Sequence, residues 1–421
     1  MLIGIKLINF KNFQDTTIIL GPLTLLVGTN AAGKSNIRDA CRFLHGISRG
    51  YSIAEILGEK YIEGGVLQWR GIRGGTKEIT FAGRSSFELE VIFTIKDKIE
   101  ERILAYWIQV EADRIGNPPR VIGESLTELI GINDRNQSQL IFDSHPKENS
   151  LPQHDPLYLN VRVQKKGSSQ YPTFSFWNQC PIIRQLIEHS DVSPSVRETA
   201  RLAIKAFTSM RFLDLSPEAM RMPSLPGQTI LGDRGENLSS VLQAICQNPE
   251  RKQALLQWIQ KLTPMDAKDF EFPSDFTGKV LLTLVEENGQ RISAYSASDG
   301  TLRFLGIIAA LLGTEAARFY FVEELENGIH PTRLHLILQL MEQKVAEGRI
   351  QIIATTHSPQ LLKSLSPKSL EYASLLYRIP NRTYAKVKRI IDIPEAQRII
   401  QEQDFANLHE SGWLEDMVYF C

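Results

Sequence analysis

Residues 28–35 read Gly28-Thr29-Asn30-Ala31-Ala32-Gly33-Lys34-Ser35. The spacing G-x-x-x-x-G-K-S sets two glycines, a lysine and a hydroxyl where a loop can wrap around phosphate groups. The apolar run Leu23-Thr24-Leu25-Leu26-Val27 precedes it and predicts a buried strand. After it, Ile37, Ala40, Cys41 and Leu44 recur at i, i+3, i+4 and i+7, which predicts an amphipathic helix. Strand, loop and helix are the setting this motif needs. Gly28 and Gly33 are expected to let the backbone turn tightly and aim its N–H groups at phosphate oxygens. The helix adds its positive N-terminal end. Lys34 is expected to reach the β- and γ-phosphates of ATP, and Ser35 to ligate Mg²⁺. The expected nucleotide-binding set is Gly28, Thr29, Asn30, Ala31, Ala32, Gly33, Lys34, Ser35 and Asn36.

A second set of chemical groups lies three hundred residues on. Arg318-Phe319-Tyr320-Phe321-Val322-Glu323-Glu324 is an apolar strand ending in two carboxylates. In P-loop enzymes an acid at that place holds Mg²⁺, which assigns Glu323 to the metal and leaves Glu324 as general base. Taken alone, such a pair is as well explained by a solvated turn. The apolar run 350–356 ends at His357. A histidine at a strand's carboxyl end faces the crevice where ligands bind in open α/β sheets, so His357 is expected to meet the γ-phosphate and the attacking water. Ser298-Asp299-Gly300-Thr301 precedes the apolar run 302–312 and predicts a helix whose N-terminus can receive an anion, although an ordinary N-cap has the same pattern.

The rest of the chain bounds the problem. Its 421 residues are 43% hydrophobic and 23% charged, with 47 Lys and Arg against 48 Asp and Glu, a net charge of −1. A nucleic-acid surface would therefore have to be a local patch. Four scattered cysteines (Cys41, Cys180, Cys246, Cys421) form no C-x-x-C pair and suit a reducing compartment. With no basic-then-apolar leader and no long apolar run, a cytoplasmic protein without a membrane segment is expected.

The fold expected is α/β: a P-loop core with an inserted antiparallel β lobe and a helical insertion. Residues 1–60 and 276–378 read as the two parts of the core. Residues 61–180 read as the β lobe, with strands at 87–95, 102–111, 139–143 and 157–163. Residues 181–275 read as helical, and 379–421 as a C-terminal extension. The Gly-rich basic stretch 62–77 contains Arg70, Arg73, Lys77 and Trp69.

These motifs, in this order, resemble ABC-type ATPases of the RecF/SMC and OLD group, most of all the stand-alone AAA-type ATPases of bacterial defence and toxin-like loci. The resemblance is strong over 1–45 and 295–365, and weaker over 205–245. It implies that 28–35 is Walker A, 298–301 the signature loop, Glu323 and Glu324 the Walker B pair, 326–330 the D-loop and His357 the switch histidine. It further implies a homodimer with two ATPs sandwiched between heads, Ser298 and Gly300 of one subunit completing the other's site in trans. Asp299 departs from the group's usual signature glycine. The Q-loop falls on Gln68 or Gln179. Lys11 resembles a position near nucleotide in relatives, while its own context reads as surface.

No coiled coil separates the two halves, so a strut of the SMC kind is not expected. Only 64 residues follow His357, which predicts no nuclease in cis. One function expected is an ATP-gated switch acting on a separately encoded effector in anti-phage defence. Its partner surfaces would include Trp413, Leu414, Tyr419 and Phe420. The other is a RecF-like ATPase on DNA or RNA, using Arg70, Arg73, Lys77, a stacked Trp69 and the basic run 378–389. A P-loop kinase would need neither the signature loop nor His357.

Overall fold

Along Ser86–Lys96 every second residue is buried: Phe87, Leu89, Val91, Phe93 and Ile95 point to one face. That alternation makes one wall of an antiparallel sheet. A computed structural model describes residues 1–393 except 97–99, 113–115, 131–137, 145–156, 263–265, 314, 316 and 379–382. The chain divides into two compact units. The first comprises Met1–Gly21, Thr29–Ser209 and Ser374–Arg389; the second comprises Pro22–Gly28, Met210–Ala373 and the residues from Ile390 onward.

In the first unit eight strands form one sheet, in the order Thr173–Trp177, Tyr158–Val163, Ser138–Asp143, Arg120–Leu129, Glu101–Glu111, Ser86–Lys96, Leu2–Phe10, Phe13–Ile19. All the pairings are antiparallel. The strands expected between 87 and 163 are present, and through Ser86–Lys96 they pair directly with the N-terminal strand, Ile5 opposite Val91. Helix Lys34–Ser48 lies on this unit and buries Ile37, Ala40, Cys41 and Leu44 completely, as the periodicity predicted. Aromatic rings bind helix to sheet: Phe87 meets Phe10 at 5.3 Å and Phe43 at 5.4 Å, both edge-on, the favoured geometry. Helix Pro194–Thr208 adds Phe207, 4.9 Å from Phe93.

The same unit buries an acid. Glu124, on Arg120–Leu129, has no solvent exposure. Its carboxylate accepts from the backbone N–H of Ile182 (2.6 Å) and Ile183 (2.8 Å) and from the Tyr106 hydroxyl (2.9 Å). Burial pushes the Glu124 carboxyl up to about 7, against the pull of those three donors. The acid thus pins the first turn of Ile182–Leu186 to the sheet.

The second unit is built on four parallel strands, in the order Met210–Leu213, Phe319–Val322, Gln351–Thr356, Leu23–Gly28. The last three are buried at every position, the pattern of a sheet covered on both faces. Their register sets Leu213 beside Val322, Val322 beside Ala354, and Thr356 beside Val27, so all four carboxyl ends reach one edge. Helices Leu238–Cys246, Pro249–Leu262, Asp299–Leu312 and Pro331–Ala346 belong to this unit, with a small antiparallel sheet of Ala267–Glu271, Thr283–Glu286 and Arg291–Ser293. Gly278 sits at φ 79 in a turn tied by Asp275, whose carboxylate accepts from the Thr277 and Lys279 amides. Among the described residues no helix is long and apolar enough to cross a membrane.

Candidate functional site

The loop after strand Leu23–Gly28 passes into the first unit at Thr29. Two of its residues are left-handed, Ala31 at φ 61 and Gly33 at φ 106; Gly28 is not among them and simply ends the strand. Gly33 admits no side chain, because a Cβ there would lie 2.7 Å from the Phe13 ring and 2.9 Å from Asn12 Oδ1. Asn12 supports the loop from below: its Nδ2 donates to the Ala31 carbonyl (3.4 Å), and its Oδ1 accepts from Asn36 Nδ2 (2.7 Å). Lys34 opens the helix and its ammonium donates to the Thr29 carbonyl (3.0 Å), folded across the loop it is expected to serve. Thr29 and Asn30 are exposed, Ala32 is buried, and Ser35 is half-buried in the first helical turn.

The parallel edge of the second unit carries the acids and the histidine. Glu323 and Glu324 follow Val322, His357 follows Thr356, and Gly28 ends the neighbouring strand. Glu324 takes φ 49, a backbone that L-residues seldom adopt and that clusters at functional sites. The Thr355 hydroxyl accepts from the Glu324 amide (2.9 Å) and holds that turn. The Glu324 carboxylate then stands 3.7 Å from His357 Nε2 and accepts from the Asn327 side-chain Nδ2. Both partners are partly open, with side chains 47% and 31% exposed, so an incoming molecule can reach them. The His357 backbone N–H donates to Glu326 (2.5 Å), which fixes the end of that strand.

In the same unit Ser298 is the N-cap of helix Asp299–Leu312, its hydroxyl accepting from the Thr301 amide (3.1 Å). Gly300 touches the segment after the acids: a Cβ there would sit 2.2 Å from the Gly328 carbonyl. Arg221 reaches the loop from outside, donating through one nitrogen to Asp299 Oδ1 (2.6 Å) and to the Ala297 carbonyl (3.0 Å).

So the second unit gathers Gly28, Glu323, Glu324 and His357 along one edge, and it also holds Ser298 and Gly300. The first unit holds Thr29, Asn30, Ala31, Ala32, Gly33, Lys34, Ser35 and Asn36. Sequence reasoning does not single out Asn12, Asn327, Glu326 or Arg221. Asn12 lies in the conspicuous Asn9-Phe10-Lys11-Asn12-Phe13 segment, and Asn327 and Glu326 lie within the expected D-loop; nothing local marks Arg221.

Two expectations are corrected. Lys11 is not a surface residue: its side chain is 9% exposed and its ammonium lies 3.0 Å from Asp39, a carboxylate 1% exposed on the P-loop helix. A buried anion draws cations, and Arg73 joins it at 3.1 Å. Trp69 is not offered to a base. It is 7% exposed, donates its indole N–H to the Ile56 carbonyl (3.1 Å), and packs against Tyr51 and the Arg42 guanidinium. Arg70 and Lys77 are exposed. The aromatics Trp413, Tyr419 and Phe420, with Leu414 and part of the basic run 378–389, lie outside the described residues.

Comparison with known proteins fits this geometry. The model of a family described as "AAA domain, putative AbiEii toxin, Type IV TA system" matches residues 23–125 and 216–363, more than half of the chain. A protein of Helicobacter pylori (strain ATCC 700392 / 26695) named "ATP/GTP phosphatase" is 22% identical over 371 residues, 87% of either chain. A solved Smc head bound to the C-terminal winged-helix domain of ScpA aligns over 92% of this chain and 97% of its own, at 14% identity and a TM-score of 0.50. That likeness speaks for the fold alone. The chain belongs to the family described as "AAA domain, putative AbiEii toxin, Type IV TA system", and its fold is like that of an Smc head.

Proposed function

We propose that the protein binds Mg-ATP at the P-loop, hydrolyses it with Glu324 and His357, and uses the ATP-bound state to control a separate effector. The observation that carries the reading is the pairing of Glu324 with His357, 3.7 Å apart at the carboxyl edge of the parallel sheet. That edge is where ligands bind in open α/β folds. The name of the Helicobacter relative supports phosphatase chemistry on ATP, and extends the expected substrates to GTP.

In this mechanism the loop amides and Lys34 hold the phosphates, and Lys34 leaves the Thr29 carbonyl to do so. Glu324 accepts the proton of the attacking water while Asn327 holds its other oxygen. His357 steadies the water and the γ-phosphate. The donors available to a cation, the Ser35 hydroxyl and the Glu323 carboxylate, are hard oxygens of the kind Mg²⁺ takes. Bound Mg²⁺ would neutralise the charge that builds on the leaving phosphate.

The signature helix gives a reason for dimerisation. Ser298 and Gly300 are taken to complete a partner's site in trans, so two chains close around two ATPs. Slow turnover then acts as a timer for the effector, and the family description favours a defence setting. A nucleic-acid reading is weaker here, because Trp69 is buried and Arg73 is committed to Asp39. The test is Lys34→Ala with ATP binding measured by calorimetry and turnover by phosphate release. Both should vanish while the fold persists; unchanged affinity and turnover would remove the P-loop from the mechanism.

A further inference from the structure

The signature loop has an oddity of charge. Ser298 and Gly300 are proposed to meet the phosphates of a nucleotide, yet an acid, Asp299, stands between them. A carboxylate facing a triphosphate is repelled by it. Arg221 answers that charge. One of its terminal nitrogens donates to Asp299 Oδ1 at 2.6 Å and to the Ala297 carbonyl at 3.0 Å, so it grips the residues on both sides of Ser298.

The grip is held from behind. Arg221 follows helix Pro217–Met220, and its neighbour Met220 is wholly buried. Met220 packs on the signature helix itself at Gly306, where a Cβ would come within 2.4 Å of the Met220 methyl. Arg221 is thus seated on the helix whose first turn it clasps. The ion pair is not there for stability: the Asp299 side chain is 62% exposed, and exposed pairs contribute little. What it changes is the local field and the freedom of the loop.

We infer that Arg221 is a positioning residue for ATP hydrolysis: it cancels the Asp299 charge and fixes the Ser298 loop so that the loop can receive a nucleotide phosphate. This rests on the proposed role of Ser298. Without Arg221 the bare Asp299 carboxylate repels the incoming phosphate; removing that carboxylate as well removes the need for Arg221.

A double-mutant cycle tests this. Arg221→Ala, Asp299→Gly and the double variant are compared in full-length protein by ATP turnover, and by ATP-dependent association in light scattering. Arg221→Ala should lower turnover at least tenfold while Asp299 is present, and less than threefold when it is added to Asp299→Gly. ATP affinity of the single chain, set at the P-loop, should stay within twofold. Arg221→Lys, which keeps the charge and is less disruptive, should fall between, and serves if Arg221→Ala does not fold. A purely structural arginine would cost the same with and without the Asp299 carboxylate, which would overturn the inference. Ser298→Arg separates the two failures. If it turns over normally, the loop contacts no phosphate and both ideas fall; if it is inactive and the cycle shows no coupling, only the clasp falls.

Discussion

Two glutamates in this molecule sit in opposite circumstances. Glu124 lies inside the antiparallel sheet of the first unit, without exposure and with three donors on its carboxylate. Glu324 lies at the open edge of the parallel sheet of the second, on strained backbone, its carboxylate beside a histidine. The first acid has every bond it needs and can only hold a helix in place. The second is held by its backbone while its side chain stays accessible. Strain at Glu324 is offset by Thr355, not by its own carboxylate, which leaves that carboxylate available for chemistry.

The contrast can be broken, and the largest effect is expected at the edge. Glu324→Gln should lower ATP turnover on the order of 10²- to 10⁴-fold, the usual range for losing a general base, with ATP binding retained. Light scattering should then find an ATP-stabilised dimer. Near-normal phosphate release would mean that the base is elsewhere.

At Glu124 the effect should be on stability and should depend on pH. The folded carboxyl titrates near 7, above its ordinary value of 4.5, so folding favours the protonated form. Stability from this group is full below about 4.5 and is lost as pH rises through about 7. The stability of the wild type relative to Glu124→Gln should therefore fall by of order 3 kcal/mol across that window, measured by urea unfolding. A difference that stays flat with pH would show that the buried acid does not titrate there.

A third glutamate sets the lower bound. Glu55 closes a capping box with Ser52, its carboxylate accepting from the Ser52 amide while the Ser52 hydroxyl accepts from the Glu55 amide. Ser52→Ala should cost about 1 kcal/mol in unfolding free energy and leave turnover unchanged. A fall in turnover would mean that the cap reaches the nucleotide site.

What is legible in the sequence is what a few consecutive residues decide. The P-loop announces itself because its eight residues contain the strand exit, the turn and the helix start. Glu323, Glu324 and His357 are legible because an apolar run gives away a buried strand, and a polar residue after it gives away the edge. The sheet that joins Leu2–Phe10 to Ser86–Lys96 is not, since that pairing spans about eighty residues and alternation names a face but never a neighbour. Lys11 and Trp69 mislead for the same reason. Their burial depends on Asp39 and on the Ile56 carbonyl, partners no local pattern reveals.

The bare approach of Gly300 to the Gly328 carbonyl has a mechanical meaning. Glu324 and Glu326 of that short segment both touch His357, the backbone amide included, and Gly328 lies against the start of the signature helix. With no side chain to cushion the contact, one side cannot shift without pushing the other. Under the proposed mechanism the segment would be a lever between the acid that works on a chain's own nucleotide and the loop that chain lends to a neighbour. Two such chains facing each other would have their clocks meshed like gears, each advancing only as the other releases.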